Sequence, residues 1–202
     1  MSGEKPRERP ILFNDQMVRA ILEGRKTVTR RAVKDTGFYA IDAAIHGNEV
    51  ALREREALAT RCPFGQPGDR LWVRETWGLQ VRSYGGGAGE FIVYRATNPN
   101  AIYCRSSEGR EYPVKWKPSI HMHRHSSRIL LEITAVRVER LQDISDDQAI
   151  AEGIDTHPTG FYGNGCITAG GAFLELWESI NGDGKWAANP WVWVIEFKRV
   201  AP

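Results

Sequence analysis

Seven consecutive residues, Arg25-Lys26-Thr27-Val28-Thr29-Arg30-Arg31, hold four cations and two hydroxyls. Cations at that density suit phosphate or another anion, and the hydroxyls between them add hydrogen-bonding groups for a base or a sugar. Side chains alternate across a strand, so Thr27, Thr29 and Arg31 fall on one face and Val28 and Arg30 on the other. With Val28 turned inward, Thr29 and Arg31 face a cleft beside Lys26. The plainer alternative is a solvated cationic turn after a helix C-terminus, where the helix dipole favours positive charge.

A second group lies further along. His121, His123 and His125 alternate with Met122 and Arg124. On a strand the three imidazoles would share one face, a geometry open to zinc. No carboxylate or cysteine stands at a matching short spacing, so no metal or other cofactor is expected. The stretch from Lys115-Trp116-Lys117 to Arg128 mixes cations, histidines and an aromatic, a composition suited to phosphate contacts and base stacking. Here His121 and His123 are read as nucleic-acid contacts. Trp72 and Trp77 are placed on opposite faces of one strand. An exposed Trp77 next to Arg74 would form a stacking platform. Trp177, Trp191 and Trp193 sit on apolar faces and are assigned to the core.

Several elements must position these groups. Asn14 is a good N-cap for a helix carrying Val18, Ile21 and Leu22 on one face, and Gly24 stops it. The cationic run follows at once, with a Thr-Val-Thr centre that favours extended backbone. Residues 50–58 are weakly helical. Gln66-Pro67-Gly68-Asp69 is a turn leading into a strand from Leu71 to Trp77. Gly85 to Gly89 reads as a loop tip, and extended chain resumes at Phe91. Between Ile129 and Leu141 the apolar phase switches from Ile129, Leu131, Ile133 to Val136, Val138, which predicts a bulge or a barrel corner. Ser145 and Gln148 make a capping box for a helix over Asp146 to Glu152. Residues 155–171 are Gly-rich and loop-like, a helical stripe of Phe173, Leu176, Trp177 and Ile180 follows, and a strand spans Trp191 to Val200. The reading is an α+β domain of five to six strands with short flanking helices, as a small mixed barrel. It covers residues 11–202 behind a flexible arm at 1–10.

Bulk composition narrows the function. A net charge of +2 over 202 residues excludes a protein coated in positive charge, so a nucleic-acid contact must come from a local patch. Three widely spaced cysteines outside any CxxC pattern fit a reducing compartment rather than a disulfide framework. The first ten residues lack the apolar core of a signal peptide and no stretch is apolar enough for a membrane span, so a cytoplasmic location without membrane contact is expected.

Gly24 to Arg31 resembles the segment that follows the first helix of ASCH domains. Pro67-Gly68-Asp69-Arg70-Leu71-Trp72-Val73 resembles their Gly-Asp turn and strand, Asp147 to Ile154 their short helix after the long strand, and Trp193 to Val200 their closing strand. Trp116, Ser119 to Met122 and Asn189-Pro190-Trp191 add a likeness to a phage and prophage branch of that family. The four main matches run in order along the chain. The resemblance implies a PUA-like barrel, a fold used for binding RNA and reading modified bases. Some small bacterial ASCH proteins remove the acetyl group from N4-acetylcytidine with a Lys, a Thr and a Glu, and those positions match Lys26, Thr29 and Glu152. Insertions near 36–61, 78–115 and 155–171 distinguish this chain.

The implied chemistry is reasonable. A Thr hydroxyl attacks only when a neighbour takes its proton, and Lys26 can do so only as a neutral amine, its pKa lowered from about 10.4. Glu152 would orient that amine or protonate the leaving nitrogen, though as a direct partner it also holds the ammonium charged. Lys26, Thr29 and Glu152 are therefore the catalytic candidates. Arg25, Thr27, Arg30, Arg31, Arg74, Trp77, His121 and His123 are the binding candidates. Four functions follow: recognition of RNA, a nucleoside or a modified base in a basic cleft; hydrolysis of an acylated cytidine; ribonuclease activity; or an interaction protein acting through its insertions. Oligomeric state is left open.

Overall fold

Asn14 accepts a hydrogen bond from the Met17 amide at 2.9 Å and starts helix α1 (Asp15–Leu22), whose Val18 and Ile21 are buried. Gly24, at φ +78°, ends it. The Arg25 and Lys26 amides both donate to the Ala20 carbonyl, turning the chain directly into β2 (Val28–Ala32). The computed structural model describes residues 6–34, 47–84 and 87–201. Residues 1–5 of the expected arm, 36–46 of the first insertion and the glycines at 85 and 86 lie outside them.

The remaining elements are β1 (Glu8–Leu12), α2 (Asn48–Ala59), β3 (Arg70–Arg74), β4 (Trp77–Tyr84), β5 (Gly87–Tyr94), β6 (Ile102–Arg105) and β7 (Glu111–Pro113). They continue with β8 (Leu130–Arg140), α3 (Asp146–Ala151), α4 (Ala169–Asn181) and β9 (Trp191–Val200). Five strands form the main sheet in the order β1-β3-β8-β9-β2. β1 and β3 run parallel, and every other neighbouring pair in that sheet is antiparallel. The β4–β5 and β6–β7 pairs are separate two-stranded sheets. The expected phase switch is a register shift between Ile133 and Ala135 of β8.

β9 explains its own apolar sequence. Trp193, Ile195 and Phe197 enter one core cluster with Phe13, Leu71 and Leu131, while Val192 and Val194 enter a second with Val28, Phe173 and Trp177. A strand covered on both faces reads as continuous apolar residues, because neither parity meets water. α3 carries the Ser145–Gln148 capping box, and α4 closes the second cluster.

Several expectations change. β1 begins at Glu8, so residues 8–10 are strand rather than arm. The run from Leu71 to Trp77 is two elements, β3 and the start of β4, in different sheets, so Trp72 and Trp77 do not share a strand. Nine strands replace five or six among the described residues, because the insertion at 78–115 contains β4 to β7. α4 starts at Ala169, inside the expected loop. Residues 119–121 and 124–126 are short 3-10 helices, which removes the strand meant to align His121, His123 and His125. The backbone ladder runs from β1 to β2 without closing. A side chain links those two edges: the Arg31 guanidinium donates to the Leu12 carbonyl at 2.7 Å.

Candidate functional site

The Thr27 amide donates to the Ala151 carbonyl at 2.9 Å and so joins the start of β2 to the end of α3. Gly153 makes this junction tight. Its φ is +94°, and a Cβ there would stand 2.9 Å from the Ala20 Cβ and 3.1 Å from the Lys26 Cβ. Only a glycine lets the chain after α3 pass so near α1 and Lys26. The result is that Glu152, the C-cap of α3, lies directly over Lys26.

Both residues are buried, each 2% exposed. Lys26 Nζ donates to the Glu152 carboxylate at 2.7 Å, to the Glu152 carbonyl at 2.7 Å and to the Val28 carbonyl at 2.8 Å. Three acceptors match the three protons of an ammonium. Burial pulls the Lys26 pKa below the ordinary lysine value. The Glu152 carboxylate opposes the shift, while Arg31 and Arg30 add to it. Arg30, its side chain wholly buried, donates to the other Glu152 oxygen at 3.3 Å, to Gln148 at 2.6 Å and to Glu139 at 3.5 Å. One carboxylate thus holds two cations, and Gln148 serves both the helix cap and the Arg30 guanidinium.

Beside this network lies a hollow of about 60 Å³ lined by Thr29, Arg30, Arg31, Glu152, Phe173 and Trp177, among others. Its wall includes Ile180 and Asn181, both exposed, at the C-terminal end of α4. Arg30 Nε, Arg31 Nε and Trp177 Nε1 are buried and have no hydrogen-bond partner. All three belong to residues that line the hollow. Lys26 is not among the lining residues. The expected catalytic set is thereby divided: Thr29 and Glu152 share the hollow, and Lys26 contacts Glu152 from outside its lining.

The other predicted residues lie elsewhere. Arg25 pairs with Glu23 at 2.6 Å and Asp155 at 3.0 Å on the surface. Thr27 is exposed and lines a different depression with Arg137, Glu196 and Lys198. Arg74 donates to the Ile120 carbonyl and lies over Trp72. Trp77 is only 7% exposed, bridges β4 to Lys117 and has the Lys117 ammonium over its ring, so it offers no open stacking platform. His121 and His123 are exposed, and His123 stacks on His125 with centroids 5.6 Å apart. Among the described residues no group of His, Cys, Asp or Glu is arranged to hold a metal ion, and no helix is long and apolar enough to cross a membrane. All three cysteines are free thiols.

Sequence reading missed Glu139, Gln148 and Trp177 as parts of this site. Gln148 had been given only its capping role and Trp177 only its core role, and both assignments hold alongside the new ones. No protein-family model, curated protein or solved structure matches the chain.

Proposed function

We propose that the chain binds a nucleoside or a modified base, free or within RNA, with the carbonyl-bearing edge of the base in the hollow beside Thr29. The observation that carries this reading is the set of unpartnered N–H groups on Arg30, Arg31 and Trp177. A buried donor without a partner costs about 1–3 kcal/mol. Carbonyl oxygens and ring nitrogens of a base would relieve that cost on binding. The Glu152 carboxylate offers an acceptor to an exocyclic amine on the same edge.

Size decides how much of the ligand enters. Whole small-molecule sites run to about 300–1,000 Å³, so the 60 Å³ hollow takes a base edge or an acyl substituent and leaves the sugar at the rim. Membership of the ASCH family, with its PUA-like barrel, is part of the proposal. Four motifs in order, the Lys26–Thr29–Glu152 set, and a main sheet whose two edges are bridged by Arg31 support it.

Hydrolysis of an N4-acylated cytidine is the second reading, favoured by Thr29 and Glu152 lining one hollow with Lys26 in contact with Glu152. Lys26 is held as a donor to three acceptors, so it would serve as a base only after losing a proton and one of those bonds. That is why binding takes precedence.

Thermal melts with millimolar cytidine, N4-acetylcytidine, uridine, adenosine and guanosine test both. A saturable rise with at least one nucleoside is expected, reduced in Thr29→Val and in Ile180→Trp, which narrows the rim. No response to any nucleoside overturns the binding reading. Acetate release from N4-acetylcytidine that is lost in Thr29→Val replaces it with the hydrolase.

A further inference from the structure

The two hairpins outside the main sheet enclose a groove of about 650 Å³ lined by Leu79, Tyr103, Cys104, Tyr112, Lys115 and Lys117, among others. It shares no lining residue with the hollow beside Thr29. Its walls are fixed to each other. Gln80 Nε2 donates to the Ile102 carbonyl at 2.9 Å, tying β4 to β6, and the Tyr103 hydroxyl donates to Glu90 at 2.9 Å, tying β6 to β5. Gly78 admits the chain beyond β7 at close range, because a Cβ there would stand 2.3 Å from the Val114 Cγ1. The backbone pairing of Trp77 with Lys117 closes that end.

We propose that this groove holds a single-stranded stretch of nucleic acid. Its lining supplies the rings of Tyr103 and Tyr112 and the ammonium groups of Lys115 and Lys117, beside one carboxylate, Glu90, which the Tyr103 hydroxyl engages. Tyr112 is 42% exposed, with the Arg110 guanidinium 5.5 Å from the ring centroid. A base can stack on the ring face opposite Arg110, and the bases of a single strand are free to do so whereas those of a duplex are already paired and stacked. The charge matches the backbone of that partner. Residues 78–117 hold six Lys and Arg against three Glu and no Asp, a net of +3, whereas the whole chain carries +2. The positive balance of the chain is therefore concentrated in this segment, and two of its cations, Lys115 and Lys117, line the groove. Among the described residues, Lys115 and Lys117 have no carboxylate partner, and both line the groove. An apolar peptide would leave these lysines unanswered. A strand of alternating bases and phosphates meets both the rings and the charges.

Fluorescence anisotropy with a labelled 12-residue oligouridine, its deoxythymidine counterpart and a duplex of equal length tests the assignment. Binding of either single strand in preference to the duplex is expected. Tyr112→Ala should weaken it by about fivefold or more, and Lys115→Gln and Lys117→Gln should each lower the salt slope by about one. Tyr112 and Lys115 are exposed, so circular dichroism should show both variants folded. Affinity within twofold of the parent in all three variants, preference for the duplex, or binding of neither strand overturns the proposal. The nucleoside-dependent rise in melting temperature, retained in Tyr112→Ala and reduced in Thr29→Val, separates this groove from the hollow at Thr29.

Discussion

The ammonium of Lys26 lies 2.7 Å from the carboxylate of Glu152, and neither residue is more than 2% exposed. Arg30 approaches the same carboxylate from β2. Charges so enclosed are stable only together, since removing one partner leaves the other without solvent to compensate it. Lys26→Met should therefore cost about 3–5 kcal/mol in urea denaturation. Adding Glu152→Gln should cost less than the sum of the two single changes, a coupling that a double-mutant cycle reads directly.

Gly153 determines whether Glu152 reaches Lys26 at all. Gly153→Ala places a methyl group against Ala20 and Lys26 in a left-handed backbone that an L side chain resists. A loss of roughly 1–3 kcal/mol is expected. For a chain of this size that is several degrees in Tm, and calorimetry checks it.

Arg31 joins the two open edges of the main sheet through the Leu12 carbonyl. Arg31→Met should loosen β1 while leaving β8 and β9 intact. Hydrogen exchange should show faster exchange at the amides of β1, with no change at Ile195 or Phe197. Equal loss across the whole sheet would contradict the local role.

Glu75 is fully buried and bonded through both oxygens to Arg128, each contact at 2.9 Å. Burial nevertheless pushes its carboxyl above the ordinary glutamate range, with Arg128 opposing the shift. The folded protein thus binds this proton more tightly than the unfolded chain does. That contribution is complete below about pH 4.3 and fades as the pH climbs through the folded value. Relative to Glu75→Gln, the parent should lose stability over that rise, as measured by denaturation at stepped pH.

The sequence displayed local signals well and long-range geometry poorly. The caps at Asn14 and Ser145, the stop at Gly24 and the phase switch near Ile133 are encoded within a few residues, and each forms as expected. The break after Arg74 was hidden because Leu71, Val73, Glu75 and Trp77 are all buried in strict alternation, even though the chain changes sheets between them. The histidine run misled in the opposite way, since its alternation of types belongs to 3-10 turns. Around the hollow, the types and spacing of Lys26, Thr29, Arg30, Arg31 and Glu152 were visible in the sequence. Their division of labour was not, because strand parity alone does not show that Gln148 and Glu139 claim Arg30. Nor does it show that Lys26 contacts Glu152 from outside the lining of the hollow.

The register of β2 has a consequence for biosynthesis. Val28 pairs with Glu196 and Ala32 with Val192, and β9 is the one neighbour of β2 in the sheet. A ribosome delivering this chain from its amino end exposes the threonine and its arginines with no strand to lean on until residues 192–196 emerge. Pairing over so great a separation is slow, and unpaired edges in partly made chains invite aggregation. The hollow beside Thr29 is accordingly among the latest features to take shape, since a nascent chain stalled before Trp191 would lack the strand that holds β2 in place.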